Sequence, residues 1–377
     1  MKQEVFSGAV KLPYLTNYLV SNKIHRVLLV TGNNSYNKSS AESTLEPHLE
    51  SFEVTQYSEF SHNPKIEDVI RGVHIFTRKR CEGIIAVGGG SVLDMAKLIK
   101  AYQVSPGDIS SEVKENIVGS CDTKLIALPT TAGSGSEATQ FAVVYIDQKK
   151  FSVSDEKLRP DLVFLISNFT HSTSAYLSAS TGMDAMSQSI ESFWSVNSTD
   201  ESREYSREAF QILWKFLPQA VLENNFDAKS KVMKAAHLAG KAINIAKTTA
   251  AHALSYSFTS YHGIAHGHAV ALTLPFFCGY NSQISPEDCN DERGANHVRG
   301  IFSEIQDIIG EKDVGKALAA LISDLGLELT ISESPRGIEK DIDRILGNIN
   351  AQRMKNNPRT VHIHDLQSML KKIIISD

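Results

Sequence analysis

The sequence predicts an α/β protein, with an open parallel sheet in the first half of the chain and helices in the second. Over the first 180 residues, short β-rich runs alternate with helical patterns, which is typical of βαβ units. Beyond Thr181 the apolar residues recur with helical periodicity, and clusters of β-branched residues are few. A length of 377 residues fits two domains of about 150 residues or more. We therefore expect an α/β domain over residues 1–180 and a helical domain over residues 181–377.

The predicted strands are continuous apolar runs rather than alternating ones, as expected for parallel strands covered on both faces. They span residues 26–31, 83–87, 124–128 and 162–166. Helical patterns lie between them at 66–79 and 92–101. In the second half, helices are predicted over 182–195, 201–222, 228–247, 295–310 and 313–325.

Composition excludes several classes of protein. Hydrophobic residues make up 42% of the chain and charged residues 21%, so a core can be buried and wholesale disorder is excluded. The net charge of −5 comes from 38 basic and 43 acidic residues without long blocks of either sign, which gives no support for a nucleic-acid or membrane partner. The four cysteines show no CxxC spacing, and we see neither a signal peptide nor an apolar run long enough to span a bilayer. We expect a cytoplasmic globular protein.

A glycine-rich loop directly follows the strand predicted over 83–87. Gly89, Gly90 and Ser91 open the next helix, and we expect Ser91 to cap it while Asp94 satisfies a further first-turn donor. The bare N–H groups of a helix N-terminus bind anions, so a pyrophosphate could be held there. The loop is not GxGxxG, and by itself it fits a plain turn equally well.

A second polar loop, residues 129–137 (PTTAGSGSE), follows the strand predicted over 124–128. Its hydroxyl-bearing residues include Thr130, Thr131 and Ser134, at the carboxyl end of a strand, where α/β sheets bind ligands. Taken alone it could be an ordinary polar loop. Two such loops on one sheet favour a dinucleotide.

The residues after the first long strand indicate the choice of cofactor. NAD-binding proteins usually place an acid there to bind the ribose 2′-hydroxyl. Here Gly32 and Asn33 follow the strand, with no acid, which leaves room for a 2′-phosphate. We therefore favour NADP(H) over NAD.

The second half carries candidate metal ligands. Asp184 and Gln188 lie one helical turn apart on one face, so both side-chain oxygens could reach one cation. His252 and His266 bracket a predicted turn. Spacing alone slightly favours an ordinary helix-terminal acid and polar histidines, because no HExxH or CxxC pattern is present.

These motifs, in this order, resemble the iron-containing (group III) alcohol dehydrogenases over nearly the whole chain. Residues 88–97 (GGGSVLDMAK) and 129–137 resemble the two cofactor loops of the family, and 181–185 (TGMDA) resembles the segment with its metal-binding aspartate. His252 and His266 have the spacing of the last two metal histidines in that family.

The resemblance implies a Rossmann-like N-terminal domain, an all-helical C-terminal domain and thus a dehydroquinate synthase-like fold. It implies a divalent metal, Fe²⁺ or Zn²⁺, on Asp184, Gln188, His252 and His266. It also implies NAD(P) contacts from Gly32 and from six residues of the two loops: Gly89, Gly90, Ser91, Thr130, Thr131 and Ser134. Less strongly, it implies contacts from Asn63 and Lys150.

Two positions depart from the family pattern. Gln188 stands where the family usually has histidine, and an amide oxygen is a harder and weaker ligand than imidazole. Tyr256 stands where the family often has a histidine near the substrate. This tyrosine could join a proton relay with His262 or His268, or equally be a packing residue.

We expect the reversible reduction of a small aldehyde to a primary alcohol by a homodimer or larger oligomer. Residues 188–197, 241–253 and 266–275 resemble the phosphonoacetaldehyde reductase branch more weakly, and a phosphonate would need a basic partner such as Arg159, Lys241 or Lys247. One alternative is a dehydroquinate-synthase-like lyase that uses NAD transiently. Another is a metal-free NAD(P)-binding relative without dehydrogenase activity.

Overall fold

The computed structural model describes residues 3–33, 35–105, 107–120, 122–147 and 149–376. The chain divides into two compact units, Met1–Thr173 and Ser174–Asp377. The boundary expected between residues 180 and 181 falls inside a helix, Ala175–Trp194, because the Ser/Thr-rich sequence before it already forms the first turns of that helix.

The N-terminal unit is an α/β unit. Its described strands are β1 Glu4–Ser7, β2 Arg26–Thr31, β3 Glu53–Tyr57, β4 Gly83–Gly88, β5 Lys124–Pro129, β6 Phe141–Ile146, β7 Lys149–Ser154 and β8 Leu162–Leu165. Its α-helices are α1 Pro13–Ser21, α2 Ser35–Lys38, α3 Ala41–Leu49, α4 Ile66–Arg78, α5 Gly90–Tyr102 and α6 Ile109–Glu115. Short 3₁₀ helices cover Ala9–Lys11, Ser136–Ala138, Glu156–Leu158 and Ser167–Thr170.

Six of these strands form a parallel sheet in the order β1-β8-β5-β4-β2-β3. Every residue of β4 and β8 is buried, as the continuous apolar runs predicted. The two strands of this sheet that the sequence analysis missed, β1 and β3, are largely exposed edge strands with mixed polar sequences. The strands β6 and β7 were missed as well. The antiparallel hairpin β6–β7 stands apart from this sheet. The predicted Rossmann-like α/β half is thus confirmed.

The strand order reverses between β2 and β4. From β2 the chain adds β3 on one side and then returns to add β4 on the other. Such a switch point opens a crevice at the carboxyl ends of the strands, where open α/β sheets bind ligands. In register, Thr31 pairs with Val87 and Gly88 with Pro129, so the segments after β2, β4 and β5 begin side by side.

The C-terminal unit is helical, as predicted. Its helices are α7 Ala175–Trp194, α8 Asp200–Leu222, α9 Phe226–Ala246, α10 Ala250–His262, α11 His266–Ala271, α12 Leu274–Ser282, α13 Ala295–Ile309, α14 Val314–Asp324, α15 Ile338–Leu346, α16 Ala351–Met354 and α17 Ile363–Ile373. The only described strands are two residues each, β9 Ile331–Ser332 and β10 Ile374–Ile375, which pair in parallel.

Helix α7 is the central helix of this unit. It is buried from Gly182 to Trp194 and packs against α8, α9 and α11. Three polar side chains on it, Asp184, Gln188 and Glu191, are therefore removed from water and need partners within the protein.

Within the described ranges, no helix combines the length and the apolar character needed to cross a membrane.

Candidate active site

Three predicted metal ligands converge in the C-terminal unit. Asp184 on α7, His252 on α10 and His266 at the start of α11 each offer one ligand atom, and these atoms lie within 4.8 Å of one another. The Asp184 Oδ1 atom is 3.3 Å from His252 Nε2 and 4.0 Å from His266 Nε2. One carboxylate and two imidazoles form a donor set that suits a divalent transition metal.

The fourth predicted ligand, Gln188, lies beside Asp184 on α7. It is 4% exposed, and its side chain hydrogen-bonds with Asp184. Burial raises the pKa of Asp184, but the hydrogen bond with His252 and the nearby histidines outweigh it, so the pKa lies below its ordinary value. An ionised carboxylate with an amide oxygen one turn away can complete a set of two oxygens and two nitrogens, so the residues present fit a divalent metal.

Gly267 allows α11 to lie directly against α7. A Cβ atom at this position would be 1.9 Å from the Ser180 carbonyl oxygen and 2.9 Å from Asp184 Cβ. The backbone approach is therefore possible only for glycine. It brings His266, the residue before it, to Asp184, which gives a structural reason for the His266-Gly267 pair.

Glu191 supports the cluster, and the sequence analysis missed it. It is wholly buried and accepts hydrogen bonds from Thr249 N, at 3.0 Å, and Thr249 Oγ1, at 2.7 Å. Its other oxygen contacts His252 Nδ1. A carboxylate on Nδ1 fixes the histidine tautomer and turns Nε2 towards a metal. The available signal was spacing, because Glu191 lies seven residues, or about two turns, after Asp184 on the same helix.

Tyr256 belongs to the same neighbourhood. Its ring is parallel to that of His266, at an interplanar angle of 1° and a centroid distance of 5.7 Å. Burial raises the pKa of Tyr256, although the positive charge of Arg353 partly opposes this effect. The phenol therefore stays protonated at neutral pH and can act as a hydrogen-bond donor.

The other two residues expected in a proton relay point elsewhere. Both ring nitrogens of His268 are engaged in hydrogen bonds. Tyr176 Oη lies 3.2 Å from Nδ1, and Nε2 donates to the Glu328 carbonyl oxygen at 2.7 Å. The ring of His262 packs on Phe258. Its pKa is lowered, chiefly by burial and against the opposing charge of Asp341 on α15. The described geometry does not bring either histidine into the group of metal donors.

In the N-terminal unit, the two predicted cofactor loops lie against each other. A Cβ at Gly90 would be 2.9 Å from Ser134 Oγ, and one at Gly89 would be 3.4 Å from Thr131 Oγ1. Thr130 is buried and donates its N–H to the Gly88 carbonyl oxygen. The two loops thus form one surface of glycine backbone and hydroxyl groups.

The start of α5 differs from the expected cap. Gly89 is the N-cap residue, with no side-chain hydrogen bond, and Ser91 lies inside the helix. Asp94 does not cap the helix. It accepts hydrogen bonds from Ser136 Oγ and Val143 N instead, because the second loop packs over this face of α5. The N-terminus of a 13-residue helix without a side-chain cap is suited to an anion.

Lys97 ties the second loop to α5, a role that the sequence analysis did not identify. Its side chain is completely buried, and Nζ donates to the Ser136 carbonyl oxygen, Thr139 Oγ1 and the Phe141 carbonyl oxygen. Burial lowers the pKa of Lys97 to about 8, against the opposing charge of Asp94. One helix therefore positions both loops.

The remaining predicted cofactor residues lie in two places. Gly32 follows β2, and a Cβ there would be 2.3 Å from Ser35 Oγ, so the Ser35 hydroxyl fills the space of a side chain. Asn33 is exposed beside it. Asn63 is exposed before Pro64, which accepts a hydrogen bond from Tyr145 N, and Lys150 pairs with Tyr145 across the hairpin. Asn63 and Lys150 are thus neighbours through Tyr145.

Comparison with known proteins identifies the family of this chain. The family model described as iron-containing alcohol dehydrogenase matches residues 2–167, and the model for the C-terminal part of the Fe-containing alcohol dehydrogenase family matches residues 178–374. A phosphonoacetaldehyde reductase from Streptomyces viridochromogenes is 32% identical over 250 residues, which span 63% of this chain and 63% of that protein. A probable alcohol dehydrogenase, EutG, from Escherichia coli is 31% identical over 68% of this chain and 67% of its own length.

Among solved structures, sulfoacetaldehyde reductase from Bifidobacterium kashiwanohense, in complex with NAD⁺, superposes with a TM-score of 0.85 at 26% identity. The match covers 100% of this chain and 98% of that one. The family models cover both units. The chain therefore belongs to the iron-containing alcohol dehydrogenase family, a family of oxidoreductases.

Proposed function

We propose that this protein reversibly reduces a small aldehyde to a primary alcohol in a metal-dependent reaction with NADPH, and that the aldehyde is phosphonoacetaldehyde. The observation that carries the proposal is the convergence of Asp184, His252 and His266 within 4.8 Å. A buried carboxylate and two imidazoles so close together form a donor set that suits a divalent transition metal.

We assign the metal to Asp184, Gln188, His252 and His266. When bound, a divalent ion such as Fe²⁺ or Zn²⁺ would supply a Lewis acid for the carbonyl group. The protein contributes the orientation of the donors. Glu191 holds His252 by its Nδ1 atom, and the Gly267 contact holds His266 against α7.

We assign the cofactor phosphates to the N-terminus of α5 and the adjoining loop. The lack of a side-chain cap at Gly89 and the hydroxyls of Thr131 and Ser134 beside the glycines support this assignment. The reduced nicotinamide would supply the hydride. The preference for NADPH is supported by Gly32, Asn33 and the Ser35 hydroxyl, which offer no carboxylate to repel a 2′-phosphate.

We assign the proton to Tyr256. The carbonyl oxygen gains negative charge as hydride is added, and a protonated phenol close to His266 can donate to it. His262 and His268 are less suited, because the first packs on Phe258 and the second uses both ring nitrogens in other hydrogen bonds.

The name of the Streptomyces relative supports the choice of aldehyde. The alignment spans 63% of that protein's length, so its substrate is extended to this chain as a proposal only. The family resemblance also leads us to propose a cytoplasmic homodimer or larger oligomer, which size-exclusion chromatography with light scattering tests.

The proposal is tested by following NADPH oxidation with metal-reconstituted protein. Phosphonoacetaldehyde and propanal are compared as substrates, and NADH is compared with NADPH. We expect turnover that needs the metal, favours phosphonoacetaldehyde over propanal and favours NADPH over NADH. Equal turnover of both aldehydes would mean a general aldehyde reductase. No NADPH oxidation with any divalent metal, or phosphate release without net NADPH loss, would contradict the reductase assignment.

A further inference from the structure

Two cationic residues lie on segments that meet at Thr248, just before the helix α10 that carries His252. Lys247 follows α9, and Arg353 lies on α16. The pKa of Lys247 is lowered by the burial of its side chain and, next, by the positive charge of Arg353. Lys247 Nζ also donates to the Asn244 carbonyl oxygen at 3.1 Å. An anion would stabilise two like charges that disfavour each other.

The backbone of Lys247 is strained. Its φ of 63° and ψ of 175° lie in a region that is close to glycine-only. Glycine would adopt this conformation without strain, yet a lysine is held there with its side chain half-buried. Strain of this kind is concentrated at functional sites, where the surrounding structure maintains it.

Arg353 is held in place by the segment that carries the metal ligand His252. Its Nη1 atom donates to Thr248 Oγ1, and Asn356 Nδ2 donates to the Thr248 carbonyl oxygen at 2.9 Å. The contacts recorded for the guanidinium within the described ranges are with neutral groups, the Thr248 hydroxyl and the Tyr256 ring. Most of its five N–H donors therefore remain available for an oxyanion.

Tyr256 links this cationic pair to the metal donors. The Arg353 Cζ atom is 5.5 Å from the Tyr256 ring centre, and that ring is 5.7 Å from the His266 ring. The guanidinium is thus at most about 11 Å from the His266 ring. A two-carbon aldehyde with a terminal oxyanion group spans roughly 5 Å from carbonyl oxygen to tail oxygen, given bonds of about 1.5 Å. With contact distances at both ends, the reach of such a molecule is comparable to this upper limit.

Building on the proposed function, we propose that Lys247 and Arg353 bind the tetrahedral oxyanion tail of a two-carbon aldehyde whose carbonyl group lies at Asp184, His252 and His266. The tail is a phosphonate or a sulfonate, since both present oxygens in a tetrahedral array to a guanidinium and an ammonium group. Arg353 and Lys247 thereby select charged over uncharged aldehydes.

The other basic residues considered from sequence are less suited. The Lys241 Nζ atom lies 3.7 Å from the Tyr205 ring centre on α8, where it is engaged in a cation–π contact. Arg159 belongs to the N-terminal unit, at the end of the 3₁₀ helix Glu156–Leu158. Arg353 itself was missed because it is more than 80 residues beyond any predicted ligand in the sequence and joins the site through tertiary contacts with Thr248 and the Tyr256 ring.

The test compares R353M, K247M and R353K with wild type and with K231M as a matched control. Lys231 lies on α9, the helix that Lys247 follows, but it packs on Phe216 and is exposed. For each protein, kcat/KM is measured with NADPH and metal for phosphonoacetaldehyde, sulfoacetaldehyde and propanal. We expect the ratio of kcat/KM for a charged aldehyde to that for propanal to fall roughly 10- to 100-fold in R353M and K247M, mainly through KM. R353K should recover part of the ratio, and K231M should keep it.

A binding experiment distinguishes failure of this inference from failure of the proposed function. Methylphosphonate and methanesulfonate are titrated by calorimetry into wild type and R353M, without aldehyde or cofactor. Binding of either anion that is lost in R353M supports the site even if no aldehyde is reduced, and the anion that binds identifies the tail. Equal loss of propanal and charged-aldehyde turnover, unchanged selectivity in R353M, or no binding of either anion to wild type would each overturn the inference.

Discussion

Glu191 and His252 act as one unit at the scale of single residues. His252 has two ring nitrogens and two carboxylate neighbours, Glu191 at Nδ1 and Asp184 at Nε2. The Glu191 contact keeps the proton on Nδ1, so the lone pair on Nε2 is free to bind a metal. Glu191 is not itself a proposed ligand, but it thus controls whether His252 can bind a metal.

We predict that E191Q weakens metal binding by about 10- to 100-fold. The glutamine still accepts hydrogen bonds from Thr249, but its NH₂ group faces Nδ1 and favours the tautomer with the proton on Nε2. Calorimetric titration of metal into the apo protein measures the effect. S189A is the control, because Ser189 is equally buried on α7 and its hydroxyl donates to the Met186 carbonyl oxygen of the same helix. An unchanged metal affinity in E191Q would show that Glu191 is merely structural.

His266 and His268 show what residue spacing alone could have revealed. Two positions apart on a helix, their side chains point about 200° away from each other. His266 faces Asp184, and His268 faces Tyr176 and the Glu328 carbonyl oxygen. The sequence analysis placed His268 in a proton relay beside the metal ligands because it did not apply the helical period.

At the scale of elements, the packing of α11 on α7 brings together two of the proposed metal donors, Asp184 and His266. The two helices meet where Gly267 contacts the Ser180 carbonyl oxygen. Asp184 and His266 are far apart in sequence, so this contact is the step that makes a site out of two separate residues.

We predict that G267A destabilises the protein by about 1–3 kcal/mol or more, since a Cβ 1.9 Å from a carbonyl oxygen forces the helices apart. It should also lose most of its metal affinity. Urea unfolding and metal titration measure the two effects. G279A is the control: Gly279 lies on α12, a Cβ there would meet nothing within 4 Å, and we expect the change to be neutral or stabilising by up to about 1 kcal/mol. A G267A protein with wild-type affinity would refute this account of the site.

The elements that the sequence predicted share a simple physical property. β2, β4, β5 and β8 are central strands, whose continuous apolar sequences reflect burial on both faces. β1 and β3 lie at the edges, and their mixed sequences resemble loops. The sequence analysis missed Glu191, Lys97 and Arg353 for a related reason. Each acts through a partner that is distant in sequence, and a single sequence does not show tertiary contacts.

At the scale of the whole molecule, the chemistry is divided between two compact units. The predicted phosphate loops belong to the N-terminal unit, and the metal donors belong to the C-terminal one. Because a metal binds only the folded donor set, its binding free energy adds to the stability of the protein.

We predict that metal raises the thermal unfolding temperature and that a chelator reverses the shift. At a free concentration 100 times the dissociation constant, the stabilisation is about 2.7 kcal/mol. Differential scanning calorimetry with and without metal measures it. D184N serves as the comparison, because it removes the central carboxylate while keeping the shape of the side chain. A metal-induced shift that persists in D184N would place the binding site elsewhere.

The complete burial of Lys97 has a consequence for its chemical reactivity. An acylating reagent needs an amine that is both unprotonated and accessible. With a pKa of about 8, the Lys97 amine is unprotonated more often than that of an ordinary lysine, but it is inaccessible while Ser136, Thr139 and Phe141 cover it. Acylation of Lys97 must wait for the second loop to open. Its rate therefore reports the opening of that loop and slows when a ligand holds the loop closed.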